Sequence, residues 1–245
     1  MLSKLPRISI ITLTFNCFNQ LDDYWQAFST LDRSQFDWIV IDGLSTDGTA
    51  EWLKARAEAF DFFASEPDAG FYFALNKAIA KVTTDYYMVF GADDRPSPHL
   101  LQRIFPLLNG AALILGGVKI IPNGGTKLPG ARGWHPFVWG RAVSHHSVGT
   151  AINIGVHKKY GNYDTAYRLV ADGALLKQIL ASKDSIVRTN EIFGSFALGG
   201  MSSKQELRSI VESFQLQMAA GSNPALQLLL LNARLIKLML KNALF

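Results

Sequence analysis

The sequence feature that most restricts the fold is a short apolar run that ends in two acidic residues. Tyr86–Phe90 is rich in aromatic and β-branched side chains, stops at Gly91, and is followed at once by Asp93 and Asp94. A run of this length bounded by glycine is typical of a strand buried on both faces. In an open α/β sheet, ligands bind at the carboxyl ends of such strands. The sequence therefore predicts a ligand site at Asp93 and Asp94, with the Asp94 carboxylate facing solvent.

Two carboxylates on one loop suit a hard divalent cation. Mg²⁺ and Mn²⁺ prefer oxygen ligands, and Mg²⁺ usually takes one or two protein carboxylates together with phosphate oxygens of a substrate. The alternative is a solvated turn, because Asp, Gly and the nearby Pro96 and Pro98 are ordinary turn residues. This stretch by itself is compatible with both interpretations.

Strand-like and helical segments alternate through the first part of the chain. The predicted strands are Arg7–Thr14, Phe36–Ile41, Asp61–Ala64 and Tyr86–Phe90, and the predicted helices are Leu21–Leu31, Ala50–Phe60 and Phe71–Val82. This alternation predicts βαβ units and a mostly parallel sheet flanked by helices. The second half is less regular: a strand-like segment at Ala111–Ile121, a loop or hairpin at Pro122–Gly133, and a helix at Leu169–Leu180 are predicted.

The composition fits one large α/β domain with an appendage. The chain has 245 residues, of which 49% are hydrophobic and 18% charged, as in globular proteins. A formal charge of +4 suits anionic ligands or a membrane surface, and without basic runs no nucleic-acid partner is expected. The single cysteine, Cys17, excludes an intramolecular disulfide and a cysteine-based zinc site. No signal peptide or membrane-spanning stretch is evident, so we expect a cytoplasmic protein.

The second predicted strand also ends in a carboxylate, Asp42, within IDGLSTDGT. A carboxylate there can accept a hydrogen bond from the imide N–H of a uracil ring. The loop that contains Ser45 offers backbone N–H groups at a helix N-terminus, which attract anions. The alternative is that Ser45, Thr46 or Asp47 only caps the helix. The absence of a GxGxxG or GKT loop disfavours Rossmann dinucleotide binders and P-loop NTPases.

Four motifs resemble family 2 glycosyltransferases of the GT-A fold. They are IITLTFN, VIDGLSTDGT, SEPDAGFYFALNKAI and VFGADD, with shorter similarities in SHHS, YDTAYRLVADGALL and LGGMS. The resemblance is to bacterial enzymes that build exopolysaccharides, colanic-acid-type capsules and O-antigens. It implies a GT-A domain, with a Rossmann-like, mostly parallel sheet, over residues 1–222. The nucleotide-binding half would cover about 1–96 and the acceptor half about 97–222.

The resemblance also implies a reaction and its residues. A sugar would pass with inversion from a nucleotide-diphosphate sugar, with a UDP-sugar expected, to a hydroxyl of a lipid-linked or oligosaccharide acceptor. The residues expected to bind the donor are Thr12, Phe15, Asn16, Asp42, Ser45, Asp68, Asn76, Lys77 and Asp93. Asp94 and His145 would ligate Mg²⁺ or Mn²⁺, and Asp172 would be the catalytic base. Gly91, Phe73 and Gly173 depart from the family's usual Asn, Asp and aromatic residue.

Some of these residues have simpler interpretations. Asp172 can be a helix-entry carboxylate that the helix dipole favours. Adjacent residues in an extended segment point to opposite sides, so at most one of His145 and His146 would face the site, and a surface histidine is the alternative. Gly199–Ser202 resembles a mobile loop that closes over the diphosphate, or an ordinary turn.

The C-terminal segment, residues 223–245, is predicted to be an amphipathic helix. From Pro224 onwards it has no acidic residue, and Gln227, Arg234, Lys237 and Lys241 fall on one helical face among many leucines. This pattern is typical of a basic helix that lies in a membrane interface, here the inner face of the cytoplasmic membrane. The alternative is that the helix packs on the catalytic domain or on a second subunit. In the second case the protein would be an oligomer.

Two other functions fit parts of the pattern. A sugar-nucleotidyltransferase would have a similar sheet, but a Gly-rich loop with Arg and Lys should follow its first strand, and TFNCFNQ has none. A catalytically inactive, nucleotide- or glycan-binding membrane scaffold would not need Asp42, Asp93, Asp94 and Asp172 together. We therefore expect an inverting, metal-dependent glycosyltransferase of bacterial surface-polysaccharide assembly.

Overall fold

One mixed sheet runs through the residues that the computed structural model describes, which are 7–122, 124–129, 146–197 and 205–243. Its strands are β1 (Ile8–Thr14), β2 (Phe36–Asp42), β3 (Phe62–Ser65), β4 (Tyr86–Gly91), β5 (Arg95–Pro96), β6 (Leu113–Ile121), β7 (Thr126–Lys127), β8 (Thr150–Asn153) and β9 (Ile186–Ala197). Their order across the sheet is β3-β2-β1-β4-β8-β6-β9-β5, with β7 paired to β6.

Helices cover both faces of this sheet. They are α1 (Leu21–Ser29), α2 (Thr49–Lys54), α3 (Phe71–Ile79), α4 (Leu100–Ile104), α5 (Val156–Tyr160), α6 (Ala171–Ala181), a penultimate helix (Glu206–Ala219) and a C-terminal helix (Pro224–Ala243). The first turn of α1 carries Asp22 and Asp23, which the helix dipole favours. The predicted helix Ala50–Phe60 is divided, because α2 ends at Lys54 and a separate 3-10 turn follows at Ala57–Ala59.

The strand order creates the crevice in which a ligand is expected. β3, β2, β1 and β4 are parallel neighbours, and β1 lies between β2 and β4. The chain therefore moves to one side of β1 first and to its other side later. In open α/β sheets, such a reversal leaves a crevice outside the carboxyl ends of the two diverging strands. The prediction of a mostly parallel sheet flanked by helices is confirmed, with β5, β7 and β8 antiparallel to their neighbours.

Alternating side chains of the central strands form two apolar layers. Ile8 and Ile10 of β1 join the layer that includes Tyr24 and Phe28 of α1. Ile11 joins the opposite layer, which contains buried residues of α3 and α6. Because both faces of these strands are buried, their sequences are continuous apolar runs rather than alternating polar and apolar residues.

The second half contains elements that the sequence did not predict. β9 is the longest described strand, yet its sequence IVRTNEIFGSFA is interrupted by four polar residues. Its position depends on parallel pairing with β6, which is irregular between Leu115 and Val118. A loop or a hairpin was predicted at Pro122–Gly133. In the described part of this segment, β7 pairs antiparallel with β6, as in a hairpin.

The C-terminal helix packs on the penultimate helix. Gln227 is 1% exposed, and Lys241 Nζ donates to Glu206 Oε1 at 2.6 Å. Five large apolar side chains of this helix are between 53% and 70% exposed: Leu228, Leu229, Ile236, Met239 and Leu240. The helix therefore turns its apolar face outward, and we call these five residues the outer apolar face. Within the described parts of the chain, no helix combines the length and the apolar character needed to cross a bilayer.

Candidate active site

The carboxyl ends of the four parallel strands bring the predicted donor-site loops together. β1 leads into Phe15 and Asn16, β2 into Gly43–Ser45, β3 into Glu66–Asp68, and β4 into Ala92–Asp94. Because parallel strands end at the same edge, these four loops surround one crevice. The geometry of each loop determines which side chains reach that crevice.

Asp42 is the anchor of three strand ends. It is fully buried, and its Oδ1 accepts hydrogen bonds from Thr14 Oγ1 at 2.9 Å and Ser45 Oγ at 2.5 Å. Its Oδ2 accepts from Ser45 N at 2.9 Å and Ser65 Oγ at 2.7 Å. An ionised carboxylate has about four acceptor positions, and all are occupied here. In this arrangement the carboxylate orders the loops. The contact with a nucleobase that the sequence suggested stays a prediction.

Asn16 and Asp47 complete the connection between the loops after β1 and β2. Asn16 N donates to Ser45 Oγ at 2.8 Å, and Asn16 Oδ1 accepts from Thr46 N at 2.9 Å. Asn16 adopts a left-handed backbone conformation, with φ of 46°. Asp47 accepts from Thr49 N and from Phe18 N, so of the three candidate capping residues Asp47 bonds the first turn of α2. Asn16 and Ser45 therefore set the shape of the crevice wall.

Phe15, Gly43 and Asp68 form the exposed part of this wall. Phe15 is 63% exposed, and Asp68 is also an exposed residue. A Cβ atom on Gly43 would lie 2.9 Å from Asp68 Oδ2 and 3.3 Å from Phe15 Cδ2, so only glycine leaves both side chains room. An aromatic ring beside an acceptor carboxylate can stack on a planar base and accept its N–H groups.

Three predicted donor residues have partners inside the protein instead. Thr12 is buried and accepts from Trp38 Nε1 at 3.0 Å, which places it in the core between β1 and α1. Asn76 Nδ2 donates to Tyr163 O at 2.9 Å, and its Oδ1 accepts from Tyr163 N at 3.0 Å. Lys77 Nζ lies 2.9 Å from Glu66 Oε1. These contacts place the three residues in the framework around the crevice, and their predicted contacts with the donor stay predictions.

Asp94 is buried, which corrects the expectation that it faces solvent. The side chain is 4% exposed and Oδ2 accepts from Gly91 N at 2.7 Å. Burial raises the pKa of Asp94 to about 8, and the charge of Asp93 adds to the rise. A Cβ atom on Gly91 would lie 2.8 Å from Asp93 Oδ1 and 3.3 Å from Asp94 Oδ2, so glycine lets both carboxylates lie close to the strand end.

This carboxylate pair fits a divalent cation. Asp93 and Asp94 offer hard oxygen donors, and the buried Asp94 carboxylate gains most from a nearby positive charge. Within the described ranges, no group of three or more His, Cys, Asp or Glu side chains could hold a metal. Phosphate and water oxygens can complete the coordination of a cation, as is usual for Mg²⁺.

Of the two neighbouring histidines, only His146 is among the described residues. His145 lies outside the described residues, so its predicted role as a metal ligand stays a prediction. His146 is half-buried and stacks on Phe196 with 4.0 Å between ring centroids. Burial lowers the pKa of His146 to about 4, so its ring is neutral at physiological pH. The predicted loop at Gly199–Ser202 also lies outside the described residues.

Asp172 lies in the first turn of α6 and is held by a residue that the sequence did not single out. Tyr72 of α3 donates a hydrogen bond from its hydroxyl to Asp172 Oδ1 at 2.7 Å. Burial raises the pKa of the Asp172 carboxyl, and the hydrogen bond from Tyr72 opposes that rise. The two residues are 100 positions apart, and no local pattern connects them.

The motifs, the parallel strand order and this constellation of carboxylates can be compared with known proteins. The model of the family described as "Glycosyl transferase family 2" matches residues 9–161, which is more than half of the chain. The chain belongs to this family. This family 2 glycosyltransferase is therefore a transferase, and the family gives no support to the nucleotidyltransferase or to the inactive scaffold.

Relatives and solved structures agree with this assignment. An uncharacterized glycosyltransferase of Mycobacterium tuberculosis strain H37Rv is 25% identical over 178 residues, 70% of this chain and 68% of the relative. The crystal structure of S. aureus TarS 1–349 in complex with UDP has a TM-score of 0.63 at 13% identity, over 90% of this chain and 68% of the TarS 1–349 chain. The mannosyltransferase PcManGT of Pyrobaculum calidifontis, in complex with GDP-Man and Mn²⁺, also has a TM-score of 0.63, at 17% identity over 95% and 81% of the chains. At such identities the structures show a shared fold, and the chain has the expected GT-A fold.

Proposed function

We propose that the protein is an inverting, metal-dependent glycosyltransferase of bacterial surface-polysaccharide assembly. It moves a sugar from a nucleotide-diphosphate sugar to a hydroxyl of a lipid-linked or oligosaccharide acceptor. The observation that carries this proposal is the position of Asp172. Its carboxylate is hydrogen-bonded to α3, the helix that starts directly after the loop of Asp68, so a candidate base and a candidate donor wall share one element.

The proposed reaction is a single displacement in which Asp172 is the base. As the acceptor hydroxyl attacks the anomeric carbon, Asp172 takes its proton. The new carbon–oxygen bond forms while the bond from the anomeric carbon to the phosphate oxygen breaks. The electron pair leaves with the nucleoside diphosphate, and attack from the opposite face inverts the configuration. A single displacement needs no nucleophilic carboxylate, so one base is sufficient.

Asp93 and Asp94 are the residues that would hold Mg²⁺ or Mn²⁺. A bound divalent cation supplies Lewis-acid stabilisation of the negative charge that develops on the departing diphosphate. The burial of Asp94 supports this role, because a buried carboxylate without a cation is destabilising. PcManGT was solved with Mn²⁺, which makes this cation the first to test. His145 remains a proposed further ligand.

The donor's nucleotide is proposed to lie against Phe15 and Asp68. Phe15 offers an exposed ring for stacking, and Asp68 Oδ2 offers an acceptor beside Gly43. Asn16, Asp42 and Ser45 would act one step back, by holding the loops in place. A UDP-sugar is the donor that the family resemblance implies; TarS was solved with UDP and PcManGT with GDP-Man, so both nucleotides belong in the test.

We also propose that the enzyme works on the inner face of the cytoplasmic membrane. The outer apolar face of the C-terminal helix supports this, because five exposed large apolar side chains on one helix need a cover. The alternative cover is a second copy of the chain.

A panel of nucleotide sugars tests the proposal directly. Purified protein is titrated with UDP- and GDP-sugars, with and without Mn²⁺, and its melting temperature is recorded. We expect at least one donor to raise the melting temperature only when Mn²⁺ is present. That donor should then lose its sugar to an acceptor in a bacterial lipid extract, with inverted anomeric configuration by NMR. Stabilisation by no nucleotide sugar, or transfer with retained configuration, would contradict the proposal.

A further inference from the structure

Tyr72 is the side chain that fixes the candidate base. It is buried in the apolar layer beneath α3, and its hydroxyl reaches Asp172 Oδ1 at 2.7 Å. Backbone N–H groups of Gly173 and Asp172 also hydrogen-bond to this carboxylate. Tyr72 therefore ties a carboxylate at the start of α6 to α3 through a side-chain hydrogen bond.

A second contact from α3 holds the chain that leads to Asp172. Asn76 lies one turn after Tyr72 on the same face of the helix, since residues i and i+4 are neighbours. Its amide group makes two hydrogen bonds with the backbone of Tyr163, at 2.9 and 3.0 Å. α3 is therefore hydrogen-bonded both to the Asp172 carboxylate and to the segment that precedes α6.

The ring of Tyr72 is itself held in place by a buried polar cluster. Tyr163 packs against Tyr72 with 5.6 Å between ring centroids. The Tyr163 hydroxyl lies 2.9 Å from the Tyr87 hydroxyl, which lies 2.8 Å from His157 Nε2. Because Tyr87 and Tyr163 are buried, the direction of the Tyr72 hydroxyl is fixed by packing rather than by solvent.

We propose that Tyr72 is a positioning residue that orients the Asp172 carboxylate towards the acceptor hydroxyl and stabilises its charged form. The inference rests on the proposed role of Asp172 as the base. It adds a residue to the site, and it gives α3 a mechanical role: the helix connects the loop of Asp68 to the base.

The expected pH effect follows from the direction of the hydrogen bond. The titratable groups that face Asp172 are Tyr72 and, behind it, Tyr163. The Tyr72 hydroxyl donates, so it favours the ionised carboxylate and lowers its pKa, while burial raises that pKa. Removing the hydroxyl leaves only the backbone hydrogen bonds of Gly173 and Asp172 to oppose the effect of burial. The carboxylate then holds its proton to higher pH, and a base must be deprotonated to act.

The test uses Tyr72→Phe, with Tyr86→Phe as the matched control. Tyr86 is also buried and also makes one hydroxyl hydrogen bond, to Ala111 O at 2.8 Å, but does not contact Asp172. The Asp172 carboxyl is titrated by ¹³C NMR in protein labelled at aspartate, with Asp172→Asn identifying its signal. We expect the proton affinity of Asp172 to rise about tenfold in Tyr72→Phe and to stay unchanged in Tyr86→Phe. An unchanged titration in Tyr72→Phe overturns the proposal.

Transfer kinetics provide the second readout. Tyr72→Phe should lower kcat about 10- to 100-fold near neutral pH, with the acidic limb of the profile moved to higher pH and donor KM unchanged. If Tyr72→Phe does not fold, 3-fluorotyrosine placed at position 72 gives the opposite sign: a stronger donor should move the limb to lower pH. An unmoved limb overturns the positioning role.

The two proposals fail in different ways. If Asp172→Asn transfers sugar at a near-parental rate, Asp172 is not the base and Tyr72 has no positioning role. An inactive Asp172→Asn beside a Tyr72→Phe protein with the parental profile leaves the base in place and removes only the role of Tyr72.

Discussion

Asp94 is a buried carboxylate at the end of β4. Its pKa is raised to about 8 by burial, and Asp93 adds to this rise. An unfolded aspartate has a pKa of about 4, so the folded protein binds the proton more tightly. The metal-free protein should therefore lose stability as pH rises from about 4 to about 8, and regain stability when a cation binds.

Replacing this carboxylate should separate stability from metal binding. We expect metal-free Asp94→Asn to melt at a higher temperature than the parent at pH 9, with the difference shrinking towards pH 5. The same variant should no longer be stabilised by nucleotide plus Mn²⁺. The control is Asp85→Asn, which changes an exposed carboxylate just before the other end of β4. If Asp94→Asn gains as much stability from nucleotide and Mn²⁺ as the parent does, Asp94 is not a ligand.

Gly43 tests the proposed nucleotide wall. In Gly43→Ala, the added methyl group would meet Asp68 Oδ2 at 2.9 Å and Phe15 Cδ2 at 3.3 Å. Both of these residues are exposed and can move aside, so folding should be almost unaffected. Donor binding should weaken by roughly fivefold, or about 1 kcal/mol, measured by calorimetry. Gly125→Ala, whose methyl group would meet nothing within 4 Å, is the control. Parental affinity in Gly43→Ala would place the nucleotide elsewhere.

The sequence predicts the carboxylates of the candidate site better than their partners. Asp93, Asp94 and Asp172 stand out because each falls at a strand or helix end within a motif. Asn76 was expected to contact the donor, yet it bonds to Tyr163, 87 positions away. A motif indicates that a residue is required near the site. Only the packing of distant segments decides whether it touches the ligand or holds the frame.

Whole strands and helices also differ in how well the sequence predicts them. β1, β2 and β4 are continuous apolar runs, so their periodicity alone predicts them. β9 contains Arg188–Glu191 in its middle and pairs with β6 and β5. Its strand character comes from these distant partners, which is why the sequence pattern did not indicate it.

The C-terminal helix is the element whose orientation the sequence did not determine. Its polar residues were expected to face water or lipid head groups, but Gln227 is buried and Lys241 pairs with Glu206. Changing Lys241 would therefore remove an exposed ion pair with the penultimate helix. Attachment to a membrane should depend on the outer apolar face instead.

Substitutions on the outer apolar face test that attachment. Leu229→Gln combined with Met239→Gln should reduce sedimentation with anionic vesicles at least about tenfold, because each apolar side chain contributes about 1.5–3 kcal/mol when fully buried. Parental binding should persist in high salt, since apolar insertion is not screened. Leu128→Gln, a similarly exposed leucine outside the helix, is the control. Undiminished sedimentation of the double variant, or a dimer that it dissociates, would contradict lipid docking.

At the scale of the whole molecule, the sheet positions the donor loops and α3 connects one of them to the candidate base. The parallel order β3-β2-β1-β4 gathers the donor loops at one edge, and the sequence predicted this part from its alternation of elements. α3 then leads from the loop of Asp68 to Tyr72 and Asp172. The proposed reaction depends on Asp172 being a base.

The most direct test is therefore transfer by Asp172→Asn at saturating donor. The substitution preserves the shape of the side chain and removes its basicity. We expect donor affinity and melting temperature to match the parent, while release of nucleoside diphosphate in the presence of acceptor falls about 10²–10⁴-fold. Release at close to the parental rate would contradict the account.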